Sequence, residues 1–182
     1  MKVVGTPIDG LLIIEPQVFG DERGFFIETW QAERYREAGV EGTFVQDNHS
    51  RSRRGILRGL HYQIQNPQGK LVRVTAGEVF DVAVDLRRSS KTFGQWHGVI
   101  LSAENHRQFW VPPGFAHGFY VMSESADFNY KCTDYYSPDF ERSLLWDDAE
   151  VGIEWPLVDG EHPQLSQKDA AASSLTNAEV FD

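Results

Sequence analysis

The chain of 182 residues has one cysteine, Cys132. A single thiol excludes a disulfide framework and a thiolate cage for a metal. Long apolar runs are missing too. Near the N-terminus only Leu11-Leu12-Ile13-Ile14 is continuously apolar, too brief for the core of a signal peptide and far short of the roughly 20 residues that span a bilayer. A cytoplasmic protein is the expectation. Excess positive charge is also lacking: the pI is about 5.0 and the formal net charge −10. Phosphate-backbone binding needs an extended basic surface, so nucleic acid is excluded as a partner. With no internal repeats, low-complexity tracts or linkers, the length suits one domain over residues 1–182.

What is present fits a folded globule, since 41% of the residues are apolar and 13% aromatic. One stretch departs from the acidic average. Residues 49 to 61 hold four arginines and two histidines without a carboxylate. A local basic patch in an acidic protein suggests an anionic ligand, here a phosphorylated small molecule. His61 is the side chain in that patch suited to exchanging a proton near neutral pH.

The patterning is mostly β. Residues 1 to 20 read as short strands broken by Gly5, Pro7, Gly10 and Pro16, with a turn at 21–24 and a strand over 25–29. Trp30 to Ala38 is rich in helix formers and stops at Gly39. Strands are expected at 55–63, 72–74, 79–86, 98–101, 108–111, 118–121 and 128–136, separated by Gly, Pro, Ser and Asn. Many short strands without intervening helices argue for an all-β sandwich or barrel. Residues 163–182 lose the alternation and are expected to pack as a peripheral helical tail.

Several side chains could carry chemistry. In a regular strand Arg58 and His61 would point to opposite faces, but Gly59 suggests a bulge that re-aims one of them. Lys70 follows a polar turn and could return beside His61. The plainer alternative, a satisfied core histidine and a solvated edge lysine, stands equally at this point. Tyr130 and Tyr136 would share a strand face, with Tyr135 on the other. A phenol can act as a general acid and its ring can stack on a flat base. Asp169 matters only if the tail folds back onto His61.

Two resemblances bear on these candidates. The run Trp110-Val111-Pro112-Pro113-Gly114-Phe115-Ala116-His117-Gly118-Phe119 resembles the second motif of the cupins, small β-barrels that often hold a metal. The first cupin motif normally supplies a His-x-His pair, whereas here the place reads His61-Tyr62-Gln63. One histidine from each motif and no thiolates leave too few ligands for a usual metal site. The expectation is a barrel that has kept the fold and lost the metal.

The second resemblance covers residues 4 to 170. Asp21-Glu22-Arg23-Gly24-Phe25-Phe26-x-Glu28, Gln46-Asp47-Asn48-x-Ser50, Leu57-Arg58-Gly59-Leu60-His61-Tyr62-Gln63 and Gly69-Lys70-Leu71-Val72 occur in order. Pro112-x-Gly114-x-Ala116-His117-Gly118-Phe119, Tyr130-Lys131-x-Thr133-x-Tyr135-Tyr136 and Leu165-Ser166-x-Lys168-Asp169 follow. Together they resemble the dTDP-4-dehydrorhamnose 3,5-epimerases, and this ordered series moves His61 toward function. The resemblance implies a cupin-type jelly-roll barrel, all-β with a few short peripheral helices, working as a homodimer with no metal or organic cofactor. It implies His61 as general base, Asp169 as its orienting partner, Tyr130 as general acid and Lys70 as the group that stabilises an enolate. Arg23, Glu28, Gln46, Asp47, Asn48, Arg58, His117, Glu141 and Lys168 fall where the family contacts the nucleotide sugar, and Tyr136 where a ring stacks on thymine. The implied substrate is dTDP-4-dehydro-6-deoxy-D-glucose. Arg51, Arg53, Arg54 and the tail beyond Asp169 receive no role.

Rival functions remain at this stage. A sister enzyme could epimerise only C3 or only C5 of another dTDP-4-keto-deoxysugar. A non-catalytic sugar-nucleotide-binding cupin would need the basic patch but not a His–Tyr pair. The missing second histidine disfavours a metal-dependent dioxygenase, and a purely structural barrel leaves the linked polar motifs without a purpose.

Overall fold

Two antiparallel sheets face each other and enclose the core, with strands numbered along the chain. The computed structural model describes residues 1–182. The larger sheet runs, in spatial order, β1 (Lys2–Gly5), β2 (Leu12–Glu15), β10 (Gln108–Val111), β7 (Lys70–Ala76), β12 (Ser125–Cys132) and β5 (Gln46–Arg53). The smaller runs β13 (Glu141–Ser143), β6 (Leu57–Gln63), β11 (Phe115–Val121), β8 (Glu78–Asp85) and β9 (Trp96–Ser102). Strands close in sequence are often distant in the sheets, and this crossing-over makes the cupin-type jelly roll. A ribbon of β3 (Val18–Asp21) and β4 (Gly24–Ile27) stands apart from both sheets.

Alternation decides what each sheet buries. Val72 and Val74 of β7, Phe128 of β12, Phe109 and Val111 of β10 and Phe119 of β11 point inward and form the main core. The Phe119 and Phe128 rings stack nearly parallel, with centroids 4.0 Å apart and an interplanar angle of 14°. The opposite register faces outward and is covered separately. Leu71 and Trp110 pack under Tyr35 of helix α1 (Ala32–Glu37). That helix is capped by Gln31, whose side chain accepts from the Arg34 N–H at 2.7 Å. It is shorter than the Trp30 to Ala38 expected, because the cap takes Gln31 and the chain turns at Gly39 with φ +97°.

The tail covers the outer face of the smaller sheet. Leu175, Ala178, Val180 and Phe181 pack on Leu60, Tyr62, Val82, Val84 and Leu144. Its helical content is slight: helix α2 (Gln167–Ala170) and a 3-10 turn at Leu175–Asn177. The Tyr62 hydroxyl donates to the Glu179 carbonyl at 2.6 Å and fastens the last turn of chain. No helix is long and apolar enough to cross a membrane.

One expected strand is too long. The 128–136 run ends at Cys132, and Thr133 to Ser137 bend away from the sheet. Alternation therefore does not govern Tyr135 and Tyr136. Tyr136 is brought toward the Tyr130 side by the loop, as described below.

Candidate active site

The inner positions nearest the β13 end of the barrel are polar, and there the two sheets enclose a hollow of about 300 Å³. His61 and Gln63 line it from β6, Gln46 and Asn48 from β5, Lys70 from β7 and Tyr130 from β12. Tyr136, Glu141 and Gln68 complete the rim. His61 and Tyr130 thus belong to different sheets and share one cavity.

A slip in the ladder aims His61. His61 faces His117 across the β6–β11 pair, yet Arg58 faces Phe119, so β6 carries one extra residue at this point. The extra length rests on two glycines. A Cβ on Gly59, whose φ is +131°, would lie 2.6 Å from the Cα of Gly118. The bulge expected at Gly59 is present, and it turns Arg58 toward the side that His61 occupies. The Arg58 Nε donates to the Ser52 hydroxyl on β5 at 2.9 Å, on the inner face of the opposite sheet.

The tail supplies the partner of His61. The Ser166 side chain caps α2 by accepting from the Asp169 N–H at 3.1 Å. This places the Asp169 carboxylate 2.5 Å from His61 Nε2. Burial pushes the Asp169 carboxyl up, but hydrogen bonds from His61, the Ser166 hydroxyl and the Gly59 N–H outweigh it and hold the pKa below the ordinary value. Lys168, next in sequence, ion-pairs with Glu141 at the rim. The Tyr136 hydroxyl donates to the same carboxylate at 2.6 Å. Burial raises Glu141, yet these two partners together bring it below its ordinary value.

The remaining charges are desolvated. Lys70 has its pKa lowered by burial, opposed by Cys132, Glu141 and Asp81. Asp81 is fully buried and its carboxyl is raised by desolvation, opposed by His117 and Lys70. The His117 Nε2 lies 2.9 Å from Asp81 Oδ1. Tyr130 is raised by burial, so its hydroxyl keeps its proton at neutral pH. A neutral phenol that can donate a proton, an imidazole tied to a carboxylate and a desolvated lysine side chain within one cavity suit proton transfer at a carbon next to a carbonyl.

The sequence profile described as dTDP-4-dehydrorhamnose 3,5-epimerase matches residues 5–177. The chain belongs to the dTDP-4-dehydrorhamnose 3,5-epimerase family. It is 57% identical over 182 residues to the Pseudomonas aeruginosa dTDP-4-dehydrorhamnose 3,5-epimerase, covering 100% of this chain and 99% of that one. Among solved structures, the Legionella pneumophila dTDP-6-deoxy-D-glucose-3,5-epimerase in complex with dTDP-4-keto-L-rhamnose superposes with a TM-score of 0.94. It is 62% identical and the match covers 98% of this chain and 94% of that one. A 3′-monoepimerase from Streptomyces bikiniensis in complex with dTDP-quinovose also superposes, with a TM-score of 0.87, 35% identity and coverage of 94% and 86%.

Within this epimerase-family barrel, the residues expected in the site divide into three sets. His61, Lys70, Tyr130, Gln46, Asn48, Tyr136 and Glu141 line the cavity directly. Asp169, Lys168, Arg58 and His117 stand behind or beside them, the first two reaching His61 and Glu141. Arg23, Glu28 and Asp47 do not enter it. Arg23 pairs with Asp21 at the tip of the exposed ribbon, Glu28 bonds Arg34 of α1 at 2.8 Å, and Asp47 pairs with Lys131 at 3.0 Å. Asp47 follows strand alternation and lies on the outer face, opposite to Asn48.

Asp81, buried against His117 behind the cavity, is a residue that sequence reasoning missed. Its signal was available, because Val79, Asp81 and Ala83 share one face of β8 and a carboxylate there is buried among apolar neighbours. Arg51, previously without a task, forms a two-pronged bond to Asp127 at 2.6 Å for each contact. It is consumed on the sheet surface away from the cavity.

Because folding lowers the Asp169 carboxyl below its unfolded value of 3.8, the bond to His61 stabilises the protein above that value and fades as pH falls. Asp169→Asn should therefore lower the melting temperature at neutral pH and flatten its fall below roughly pH 5. Thermal melts across pH check this; parallel curves for both proteins would contradict it.

Proposed function

We propose that the protein inverts C3 and C5 of dTDP-4-dehydro-6-deoxy-D-glucose, yielding dTDP-4-dehydro-L-rhamnose for dTDP-L-rhamnose synthesis. The observation that carries this reading is one cavity with His61 on one sheet and Tyr130 on the facing sheet. A ketone at C4 acidifies the C–H bonds at both neighbouring carbons, since the carbanion delocalises onto oxygen as an enolate. Inversion then requires proton removal from one face and delivery to the other. His61 removes the proton and Tyr130 supplies one from the opposite wall.

Each further group has a physical task. Asp169, bonded to His61 Nε2, fixes the tautomer that leaves Nδ1 free to accept and favours the imidazolium that forms. Positioned proton transfer supplies roughly 10²–10⁴ in rate, so stabilisation of the enolate oxygen must add several kcal/mol, and Lys70 provides it. Its desolvation strengthens that attraction, because a charge acts more strongly where water is excluded. Arg58 and His117 face the diphosphate, which favours bidentate and charge-assisted bonds. Tyr136 stacks on the thymine, with Gln46, Asn48, Glu141 and Lys168 around it. The chemistry needs no metal or organic cofactor.

The fold of the Streptomyces bikiniensis 3′-monoepimerase supports a second reading, inversion at C3 alone. The same base and acid would serve it. The higher identity to the Legionella 3,5-epimerase favours inversion at both carbons.

A cytoplasmic homodimer completes the proposal. Arg23 and Glu28 lie outside the cavity of their own chain, and the ribbon that carries Arg23 exposes Phe19, Phe25 and Phe26 to 60%, 62% and 68%. Adjacent exposed aromatics of this size mark a surface that meets a partner. A second copy covers the ribbon, which delivers Arg23 and Glu28 to the nucleotide end of the neighbouring site, while Asp47 stays on the outer face of β5.

Two experiments test these statements. His61→Ala should slow exchange of the C3 and C5 hydrogens with deuterated water by about 10²-fold or more, whereas Tyr130→Phe should depress product formation far more than substrate affinity. Normal exchange in the first variant, or a selective loss of affinity in the second, would contradict the two roles. For the dimer, Arg23→Ala and His61→Ala chains are each expected to be nearly inactive. Co-expressed in equal amounts they should regain about a quarter of wild-type activity, because each mixed dimer contains one intact site. No regain would exclude a shared site.

A further inference from the structure

Five residues, Thr133 to Ser137, leave β12 and carry Tyr136 to the rim without regular secondary structure. A loop of this kind would ordinarily be mobile. Here the backbone of each residue is held. The Thr133 N–H donates to the Gly69 carbonyl at 2.9 Å, and the Asp134 carbonyl accepts from Gln68 Nε2 at 2.8 Å. The Tyr135 carbonyl accepts from Gln63 Nε2 at 3.3 Å, the Tyr136 N–H donates to Gln46 Oε1 at 3.0 Å, and the Ser137 N–H donates to Gln63 Oε1 at 2.9 Å.

Gln63 is the centre of this arrangement. It is 4% exposed, and its amide brackets Tyr136 by gripping the residues on either side of it. Its Nε2 also donates to the Asn66 carbonyl at 2.7 Å, so its amide hydrogens are both committed. A carboxamide presents two donors and an acceptor at one end without carrying charge, and no other side chain of this length does so. A histidine or a carboxylate in its place would lose part of the pattern. Gln63 is also two residues along β6 from His61 and shares its face. It stands where metal-holding cupins place the second histidine, and its polar atoms point to the loop.

We propose that Gln63 is a positioning residue for nucleotide recognition. It ties the strand bearing the base to the loop bearing Tyr136, and with Gln46 and Gln68 it presets the ring before ligand arrives. Ordering the loop in advance removes an entropic cost from binding. This rests on the reading that Tyr136 stacks on thymine.

The test is a double-variant cycle on the affinity for thymidine diphosphate, measured by titration calorimetry on the full chain. Tyr136→Ala and Gln63→Glu should each weaken binding by about tenfold, and the double variant should bind no more than about twofold worse than Tyr136→Ala alone. In turnover, Gln63→Glu should raise KM by more than it lowers kcat. Gln63→Glu at wild-type affinity, or losses that multiply in the double variant, would overturn the inference while leaving the nucleotide site intact. Wild-type protein that does not bind thymidine diphosphate would instead remove the stacking reading and this inference with it. Should a buried carboxylate prevent folding, Gln68→Met releases Asp134 from nearer the surface. It should weaken binding by about threefold only while Tyr136 is present; an unchanged affinity, or an equal loss without Tyr136, overturns the proposal.

Discussion

The bond between His61 Nε2 and Asp169, 2.5 Å long and 108 residues apart in sequence, joins the barrel to its tail. It forms only if the chain after β13 returns along the outside of the smaller sheet. Leu144 and Ser173 form a bridge, Phe181 bridges to Arg87, and the Leu145 N–H donates to the Ser173 carbonyl at 2.8 Å. The apolar residues of the tail bury the outer face of β6, β8 and β11. Burial of that face thus fixes α2, and α2 fixes both Asp169 and Lys168. A carboxylate held this way orients an imidazole at little entropic cost when substrate binds. The same short helix reaches His61 through Asp169 and the rim through Lys168 and Glu141.

In and behind the cavity, buried ionisable groups oppose one another's desolvation. Burial lowers the Lys70 pKa, and Asp81, Glu141 and Cys132 oppose that shift. Asp81, in turn, is buried where only His117 and Lys70 favour its charged form. A buried charge without such partners costs several kcal/mol. Lys70 and Asp81 thus moderate each other's desolvation in a water-poor site, where electrostatic interactions are stronger than in water. Tyr130 carries the converse setting: burial keeps its proton in place. In the proposed roles, base and acid are distinguished by environment, His61 tied to a carboxylate and Tyr130 neutral against the facing sheet.

Much of this was legible in the residues. The alternation in β7, β8, β10 and β11 and the absence of helical spacing pointed to facing sheets, and Gly59 pointed to the bulge. His61, Lys70 and Tyr130 were legible as chemistry, but their meeting depends on crossovers between sheets that period-2 patterns do not encode. The end of β12 at Cys132 is not marked by a Gly or Pro, and the loop beyond it is set by side-chain amides from elsewhere. Glutamine in a β pattern carries no mark of being such a clamp. Asp81 was passed over as one polar residue in an apolar run, although that position was its signal. Arg23 and Glu28 sit outside the cavity of their own chain, on the ribbon and just after it, which strand alternation does not reveal.

The central claim is that one cavity removes a proton from each of two carbons and delivers a different proton to the other face of each. NMR of the product formed from dTDP-4-dehydro-6-deoxy-D-glucose in deuterated water tests it most directly. Deuterium at both C3 and C5, with both centres inverted, is the result expected from a His61–Tyr130 shuttle serving two enolates in turn. Exchange and inversion confined to one carbon, or conversion without deuterium at either, would contradict it.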